Sequence, residues 1–180
     1  MKKLILFLIV VSCVCCSCGF YAGISGKVVD NVTGKPLEGA VVVAQWTKTR
    51  GIPGLQYSDL QKITETLTDK EGTFSLSGTF GLLLEPPRMI IYKVGYIPWR
   101  NDMVFPGGHI TKDHEWNNDV TYKLDVFSDK YTYRQLYSFL DYGMIGNGRT
   151  EVPIISDLMR KISMQDNSEI KKQIGKENIK

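Results

Sequence analysis

The fold is decided by Thr33-Gly34-Lys35-Pro36-Leu37-Glu38-Gly39-Ala40 and, further along the chain, by Thr68-Asp69-Lys70-Glu71-Gly72-Thr73-Phe74. Each stretch is a turn between two runs in which apolar residues alternate with polar ones, which is the pattern of half-buried β-strands. The turn residues suit this role, because Gly accepts a positive φ and Pro presets its own φ. Together the two turns predict a mainly β protein built as an antiparallel β-sandwich.

The strands beside these turns can be placed from their composition. Residues 24–30 alternate, and residues 40–46 form a nearly continuous β-branched and apolar run that ends at Trp46. Residues 63–68 alternate again before the second turn, and Phe74 and Leu76 share one face of the strand after it. The second stretch is therefore predicted to be a β-hairpin, with Gly72 in the left-handed conformation.

These residues resemble the carboxypeptidase regulatory-like domain, a transthyretin-like or prealbumin-like β-sandwich. The resemblance rests on Gly26-Lys27-Val28-Val29-Asp30, on the two quoted turns and on Gly95-Tyr96 after a later strand, and it spans residues 24–126. It implies a non-catalytic module that supports or docks other domains, with no active site. Residues 48–60 and 80–88 depart from the pattern and are interpreted as lengthened connections.

The N-terminus has the features of a targeting segment. Lys2 and Lys3 form a cationic start, and the apolar run over residues 4–11 is shorter than the roughly twenty residues of a bilayer-spanning helix. All four cysteines follow it, at positions 13, 15, 16 and 18, so the rest of the chain cannot form a disulfide scaffold.

This arrangement resembles a bacterial lipoprotein signal, which predicts a leader over residues 1–18 with Cys18 as the acylated residue. Palmitate or a similar acyl chain there would anchor the protein to a membrane of the cell envelope, facing the periplasm or the cell surface. Cys13 is an alternative acylation site. A plain secretory signal, giving a secreted protein, and an uncleaved anchor are the other interpretations.

Charge and organisation exclude some classes of function. The formal net charge of +3 includes the two leader lysines, and no basic stripe is interleaved with aromatic residues, so nucleic acid is not expected as a partner. Residues 19–127 are assigned to the sandwich and residues 128–180 to a helical extension. Ser128 is predicted to cap a first helix reaching residue 142, and a second helix is predicted over residues 151–174.

The chain offers few groups for chemistry. His109 and His114 are its only histidines, and Asp113 and Glu115 flank the second. Their spacing matches no zinc motif, so a solvated polar loop is the favoured interpretation and a small metal-dependent hydrolase the alternative. A calcium cage is a further alternative, built from residues 102, 113, 115 and 117–119. Nucleophile elbows and phosphate-binding loops are absent from the sequence, so no catalytic residue and no cofactor are predicted.

Aromatic residues are better candidates for binding. Tyr96, Trp99 and Trp116 are predicted to contact a ligand or partner, because Tyr and Trp combine an apolar body with a polar tip. Core packing is the alternative for each of them. Leu82-Leu83-Leu84 forms either an exposed apolar loop or a patch buried against the C-terminal helices, and burial is the favoured interpretation.

The sequence therefore predicts a non-catalytic, membrane-anchored envelope lipoprotein whose sandwich presents loops and edge strands to a protein partner. A module that binds a carbohydrate or another small ligand through aromatic loops is the alternative from a different class.

Overall fold

The computed structural model describes residues 18–52, 54–107, 109–110, 116–144 and 153–177. Over these ranges the strands are β1 (Cys18–Tyr21), β2 (Ile24–Asp30), β3 (Val41–Ile52), β4 (Leu55–Leu67), β5 (Thr73–Leu76), β6 (Thr79–Leu82), β7 (Arg88–Tyr92), β8 (Trp99–Arg100), β9 (Met103–Val104), β10 (His109–Ile110) and β11 (Val120–Leu124). The helices are α1 (Tyr133–Gly143) and α2 (Pro153–Glu177).

Two sheets form the predicted sandwich. One has the strand order β4-β3-β7-β8 and is antiparallel throughout. The other has the order β11-β2-β5, in which β2 runs antiparallel to β5 and parallel to β11. The parallel pair is possible because the connection between its two strands passes through the opposite sheet. The sequence-based fold class, a mainly β sandwich followed by two helices, is confirmed.

The first half of strand β3, from Val41 to Thr47, is buried on both of its faces. Val42, Ala44 and Trp46 face the core between the sheets, whereas Val41 and Val43 face a second core. The helices supply the other side of that second core through fully or nearly buried side chains, which are Leu136, Leu140, Ile155, Met159 and Ile162. Each such side chain contributes about 1.5–3 kcal/mol when buried. The nearly continuous apolar run over residues 40–46, buried Gln45 included, therefore has no solvent-facing side.

The helices begin where polar side chains satisfy their free amides. The Thr132 hydroxyl accepts from the Gln135 amide at 3.2 Å, and the Gln135 side chain accepts from the Thr132 amide at 2.8 Å, which forms a capping box. The prediction that Ser128 caps α1 is wrong, because this pair starts the helix later. Helix α2 begins at a proline, and its amides at Ile154 and Ile155 donate to Glu65 of β4 at 3.1 and 3.4 Å. In the described ranges, no helix has both the length and the apolar character needed to cross a bilayer.

The two turns that decide the fold lie against each other. The Val28 amide donates to the Gly72 carbonyl at 2.8 Å, the Leu37 amide donates to the Val28 carbonyl at 3.0 Å, and the Thr68 hydroxyl donates to the Leu37 carbonyl at 2.5 Å. Gly72 has a φ of 73°, and a β-carbon there would lie 2.5 Å from the Val28 carbonyl oxygen. Only glycine therefore allows the hairpin turn to approach β2 this closely.

A buried ion pair joins the sandwich edge to α1. The Arg100 guanidinium donates to both Asp102 carboxylate oxygens, at 2.8 and 2.7 Å, and to the Phe139 carbonyl at 2.7 Å. Burial by itself would raise the pKa of Asp102, but the hydrogen bonds and charge of Arg100, with the charge of Arg88, lower it. The pair is therefore ionised in the folded protein and holds the helix on the sheet.

We expect Asp102→Asn to lower the free energy of unfolding by about 3–5 kcal/mol near neutral pH, because Arg100 would keep a buried charge without its partner. The folded-state pKa of Asp102 is lower than the unfolded value of about 4, so its contribution is complete above pH 4. That contribution is lost as the pH falls through the folded-state pKa. Denaturant unfolding at several pH values should therefore show a smaller loss of stability on acidification in the variant, whereas exposed Asp129→Asn should follow the parent.

Candidate functional site

Strands β3 and β4 form a long hairpin that extends beyond the sandwich. Strand β3 pairs with β7 only from Val41 to Gln45, and its register with β4 shifts between Trp46 and Thr47. Beyond this shift the two strands remain paired, and the last pair of the ladder is Ile52 with Leu55. We call residues 47–52 and 55–60 the distal hairpin.

The interpretation of residues 48–60 as a connection is wrong. Gly51 and the Pro53-Gly54 pair indicate a loop by composition, but the strands continue on both sides of the turn, and Gly54 has a φ of 91°. Residue 53 itself lies outside the described ranges. The missed signal is a two-residue turn that contains glycine and is flanked by Ile52 and Leu55.

The two faces of the distal hairpin differ. Ile52, Leu55 and Tyr57 lie on one face and are all exposed, because Ile52 is opposite Leu55 and Tyr57 is opposite Arg50. Arg50 also donates to Asp59 of the facing strand at 2.5 Å. This face is an exposed apolar surface with one ion pair beside it.

The other face is held by Glu85. The Glu85 amide donates to the Thr47 carbonyl at 2.9 Å, the Thr47 hydroxyl donates to its carboxylate at 2.7 Å, and the Thr49 hydroxyl donates to the second carboxylate oxygen. Burial tends to raise the pKa of Glu85, but the hydrogen bonds from the two hydroxyl groups and the charge of Arg88 outweigh it and lower the pKa. Glu85 therefore fixes the base of the distal hairpin in place.

The outer edge of β4 is available for pairing. Over the described ranges β4 forms a ladder with β3 alone, so every second residue of β4 directs its backbone N–H and C=O away from the sheet. Residues 55–58 carry no charge, whereas Asp59 and Lys62 lie closer to the sandwich. Natural edge strands are usually protected by charge, proline or a covering segment, and an unprotected edge can accept another strand.

A cleft opens between the sheets at the opposite edge. Its volume is about 490 Å³, and it is lined by residues of the 97–105 segment, of β11 and by Tyr131. Trp99 of edge strand β8 forms part of the wall, with its ring centroid 4.7 Å from that of Tyr122. Lys123 and Asp125 add polar groups to the same lining. The cleft combines an aromatic surface with two opposite charges, which suits a small polar ligand.

Tyr96 and Trp116 are held by contacts within the sandwich. The Tyr96 hydroxyl donates to Asp30 at 3.1 Å; burial and this hydrogen bond both raise the pKa of Tyr96. The Trp116 ring packs edge-on against Trp46 at 5.3 Å, and its indole N–H donates to the Ala22 carbonyl at 2.8 Å. The polar tips that suggested binding are thus used inside this chain, and a role in partner contact stays a prediction.

Most of the remaining candidate residues lie at the ends of the described ranges or outside them. Cys18 starts β1, and His109 lies in β10 opposite Val104; only their backbone positions are described. His114, Asp113 and Glu115 fall outside the described residues. Within the described part of the chain, no three His, Cys, Asp or Glu residues converge to hold a metal. Asp102, a candidate calcium ligand, pairs with arginine instead.

Comparisons with known proteins find distant structural likenesses. No family model matches the chain, and no curated protein matches it. Among solved structures it is similar to a streptococcal ancillary pilin, with 20% identity and a TM-score of 0.32 over 59% of this chain and 29% of the pilin. It is also similar to the group B streptococcus pilus 2b backbone protein, with 16% identity and a TM-score of 0.34 over 61% and 43% of the two chains. The matched region thus spans less than half the length of either pilin.

Proposed function

We propose that this protein is a non-catalytic, lipid-anchored lipoprotein of the bacterial cell envelope that binds an extended segment of a partner protein along the outer edge of β4. The observation that carries the proposal is the distal hairpin, where an uncharged strand edge projects past the sandwich. An extended segment would add to this edge by β-augmentation, with backbone hydrogen bonds providing affinity. Specificity for the sequence of the partner would come from contacts with the exposed side chains of Ile52, Leu55 and Tyr57.

Two features reduce the cost of such binding. Glu85 fixes the base of the distal hairpin through Thr47 and Thr49, so little ordering of this segment is required on association. The partner would also find neutral residues over 55–58, so no charge must be desolvated at the centre of the new ladder.

The relationship to carboxypeptidase regulatory-like domains is part of the proposal. The residues that carry the resemblance are joined in the folded protein, because Tyr96 donates to Asp30 and the Gly72 turn contacts β2. They form the structural frame of the sandwich and leave the distal hairpin free for binding. This division supports a docking role without catalysis.

Attachment to the membrane through Cys18 completes the proposal. Cleavage before Cys18 would remove the cationic start and the apolar run and would leave the first residue of β1 as the acylated residue. Two or three acyl chains, at about 0.8 kcal/mol per buried methylene, would hold the protein on a membrane.

We expect Cys18→Ala to abolish incorporation of a clickable palmitate analogue and to release the protein from the membrane fraction, because no thiol would remain at the processing site. Cys13→Ala is the matched control and should leave both labelling and fractionation unchanged. Continued labelling of the Cys18 variant would assign acylation to another cysteine, and absence of labelling from the parent protein would exclude lipidation.

Binding at the β4 edge can be tested by proline substitution at Gln56, Tyr57, Ser58 and Asp59. Proline removes one backbone N–H. At positions whose N–H points toward β3, proline breaks a hydrogen bond of the existing ladder. At the alternate positions the N–H points outward, so proline removes only the donor that a partner strand would use. A photocrosslinker at Gln61 should form a discrete adduct with the partner in intact envelopes. Proline variants that keep the parent melting temperature should lose this adduct, since they lack only the outward donor.

Alanine at the same positions keeps the N–H and is the control for loss of the side chain. Persistence of the adduct in every proline variant that keeps the parent melting temperature would show that the partner binds elsewhere. Absence of any adduct from the parent protein in its own envelope would count equally against the proposal.

The cleft beside Trp99 supports a second candidate function, the binding of a carbohydrate or similar small ligand. A sugar ring could lie on the indole face, with Lys123 and Asp125 as hydrogen-bonding groups. On this hypothesis Trp99→Ala should abolish signals on a glycan array, whereas Trp116→Phe, away from the cleft, should retain them. If the parent protein gives no signal on the array, the carbohydrate hypothesis is wrong, and the β4 edge remains as the proposed binding surface.

A further inference from the structure

Strands β1 and β6 form a two-stranded ribbon with two different faces. Phe20 lies opposite Phe80, and Cys18 lies opposite Leu82. Because paired residues share a face and faces alternate along a strand, Phe20, Phe80 and Leu82 lie on one side. We call these three residues the apolar ribbon face. Gly19, Tyr21, Thr79 and Gly81 take the positions on the other side.

The opposite side of the ribbon packs inward. Tyr21 contacts the core between the sheets, and so does Leu84, which follows β6. A β-carbon at Gly81 would lie 3.0 Å from the Leu84 side chain, so this glycine lets the ribbon lie close on that leucine. The ribbon is therefore attached to the sandwich through one face, and the apolar ribbon face points outward.

The apolar ribbon face is exposed to an unusual degree. Phe20 is 72% exposed, Phe80 67% and Leu82 50%. Leu83 beside them is also exposed, which corrects the expectation that the three leucines pack against the C-terminal helices. Residues 18–26 and 72–84 contain no Asp, Glu, Lys or Arg. A two-stranded ribbon in water would ordinarily carry such charges, so this surface is suited to an apolar environment.

We propose that the apolar ribbon face rests on the surface of a lipid bilayer and sets the orientation of the protein on its membrane. The inference rests on the proposed attachment at Cys18 and adds a second, non-covalent contact. The backbone of Cys18 lies one strand spacing, about 5 Å, from that of its ladder partner Leu82. Phe20 is two residues further along β1 and therefore lies about 7 Å from Cys18. A bilayer that holds Cys18 is therefore within reach of all three side chains.

A lipid surface fits this patch better than a protein partner does. Specific protein interfaces surround their apolar centre with polar groups that form hydrogen bonds across the boundary. Here both chain segments that build the ribbon are uncharged, and the first of them starts at the predicted anchor itself. Phenylalanine and leucine side chains can enter the boundary between headgroups and acyl chains without requiring such partners.

The experiment uses the full-length protein, processed in a bacterial host and reconstituted into phosphatidylethanolamine and phosphatidylglycerol vesicles. In each variant a single cysteine replaces Phe80, Leu82 or Val32 and carries an environment-sensitive fluorophore. The chain has no cysteine after Cys18, so the introduced cysteine is the intended labelling site. The unsubstituted protein measures the background labelling. Val32 is the matched control, because it is an exposed apolar residue beyond the far end of β2, about 23 Å from the ribbon end of that strand.

We expect quenchers on the acyl chains to quench the fluorophore at positions 80 and 82 several-fold more than at position 32, and aqueous iodide to show the reverse order. Near-ultraviolet circular dichroism checks the fold of each variant, and Leu83→Cys replaces either position if a variant is misfolded.

Each other outcome contradicts either the proposed bilayer contact or the proposed attachment at Cys18. Iodide quenching at positions 80 and 82 in protein that floats with the vesicles would overturn the bilayer contact and leave the anchor intact. Protection from both quenchers would show that protein covers the face and would also overturn it. Failure of the unsubstituted protein to float would overturn the proposed attachment and, with it, this orientation.

Discussion

Strand β3 has no water-facing side along its first half, and the rest of the architecture depends on this requirement. Its alternating side chains enter two different cores, so one sheet must cover the first face and the helices must cover the second. Exposing either face would return several fully buried aliphatic side chains to water, at about 1.5–3 kcal/mol each. The C-terminal helices are therefore an integral layer of the fold.

The contacts that hold the helices are polar as well as apolar. Arg100 reaches from edge strand β8 to the Phe139 carbonyl, and Glu65 of β4 accepts from the first amides of α2. Both use a charged group of the sheet to satisfy backbone groups of a helix, which a purely apolar interface cannot do. Packing provides most of the attraction, and these two side chains fix the position of each helix.

The same strand serves two purposes along its length. Past the register shift at Trp46 the helices and β7 no longer cover β3, and the distal hairpin continues with β4 as its ladder partner. The segment around Leu84 and Glu85 joins the base of this hairpin to the ribbon that carries Cys18. On the proposed model, a partner bound at the β4 edge would therefore be held near the membrane, with the sandwich as a rigid connector between anchor and partner.

Local sequence predicted the parts of this fold that depend on neighbouring residues. The turn chemistry around Gly34, Gly39 and Gly72 agrees with the structure, where each has a positive φ. Alternation located the strands beside the turns, and apolar spacing predicted two C-terminal helices. Errors occurred where local signals competed: Ser128 and Thr132 are both acceptable caps, and Thr132 prevails through its reciprocal bonds with Gln135.

By itself, then, the sequence determined the sandwich, the nearly continuous apolar strand over residues 40–46 and the absence of recognisable catalytic motifs, since each follows from residue type and short-range spacing. Tertiary structure alone decided that the glycine- and proline-containing segment over 48–60 is a hairpin, and that Cys18 lies opposite Leu82. It also decided that Tyr96 and Trp116 place their polar tips on Asp30 and Ala22. The physical reason is that strand pairing and side-chain partnership join residues far apart in the chain, and their free energy depends on which surfaces the completed fold brings together.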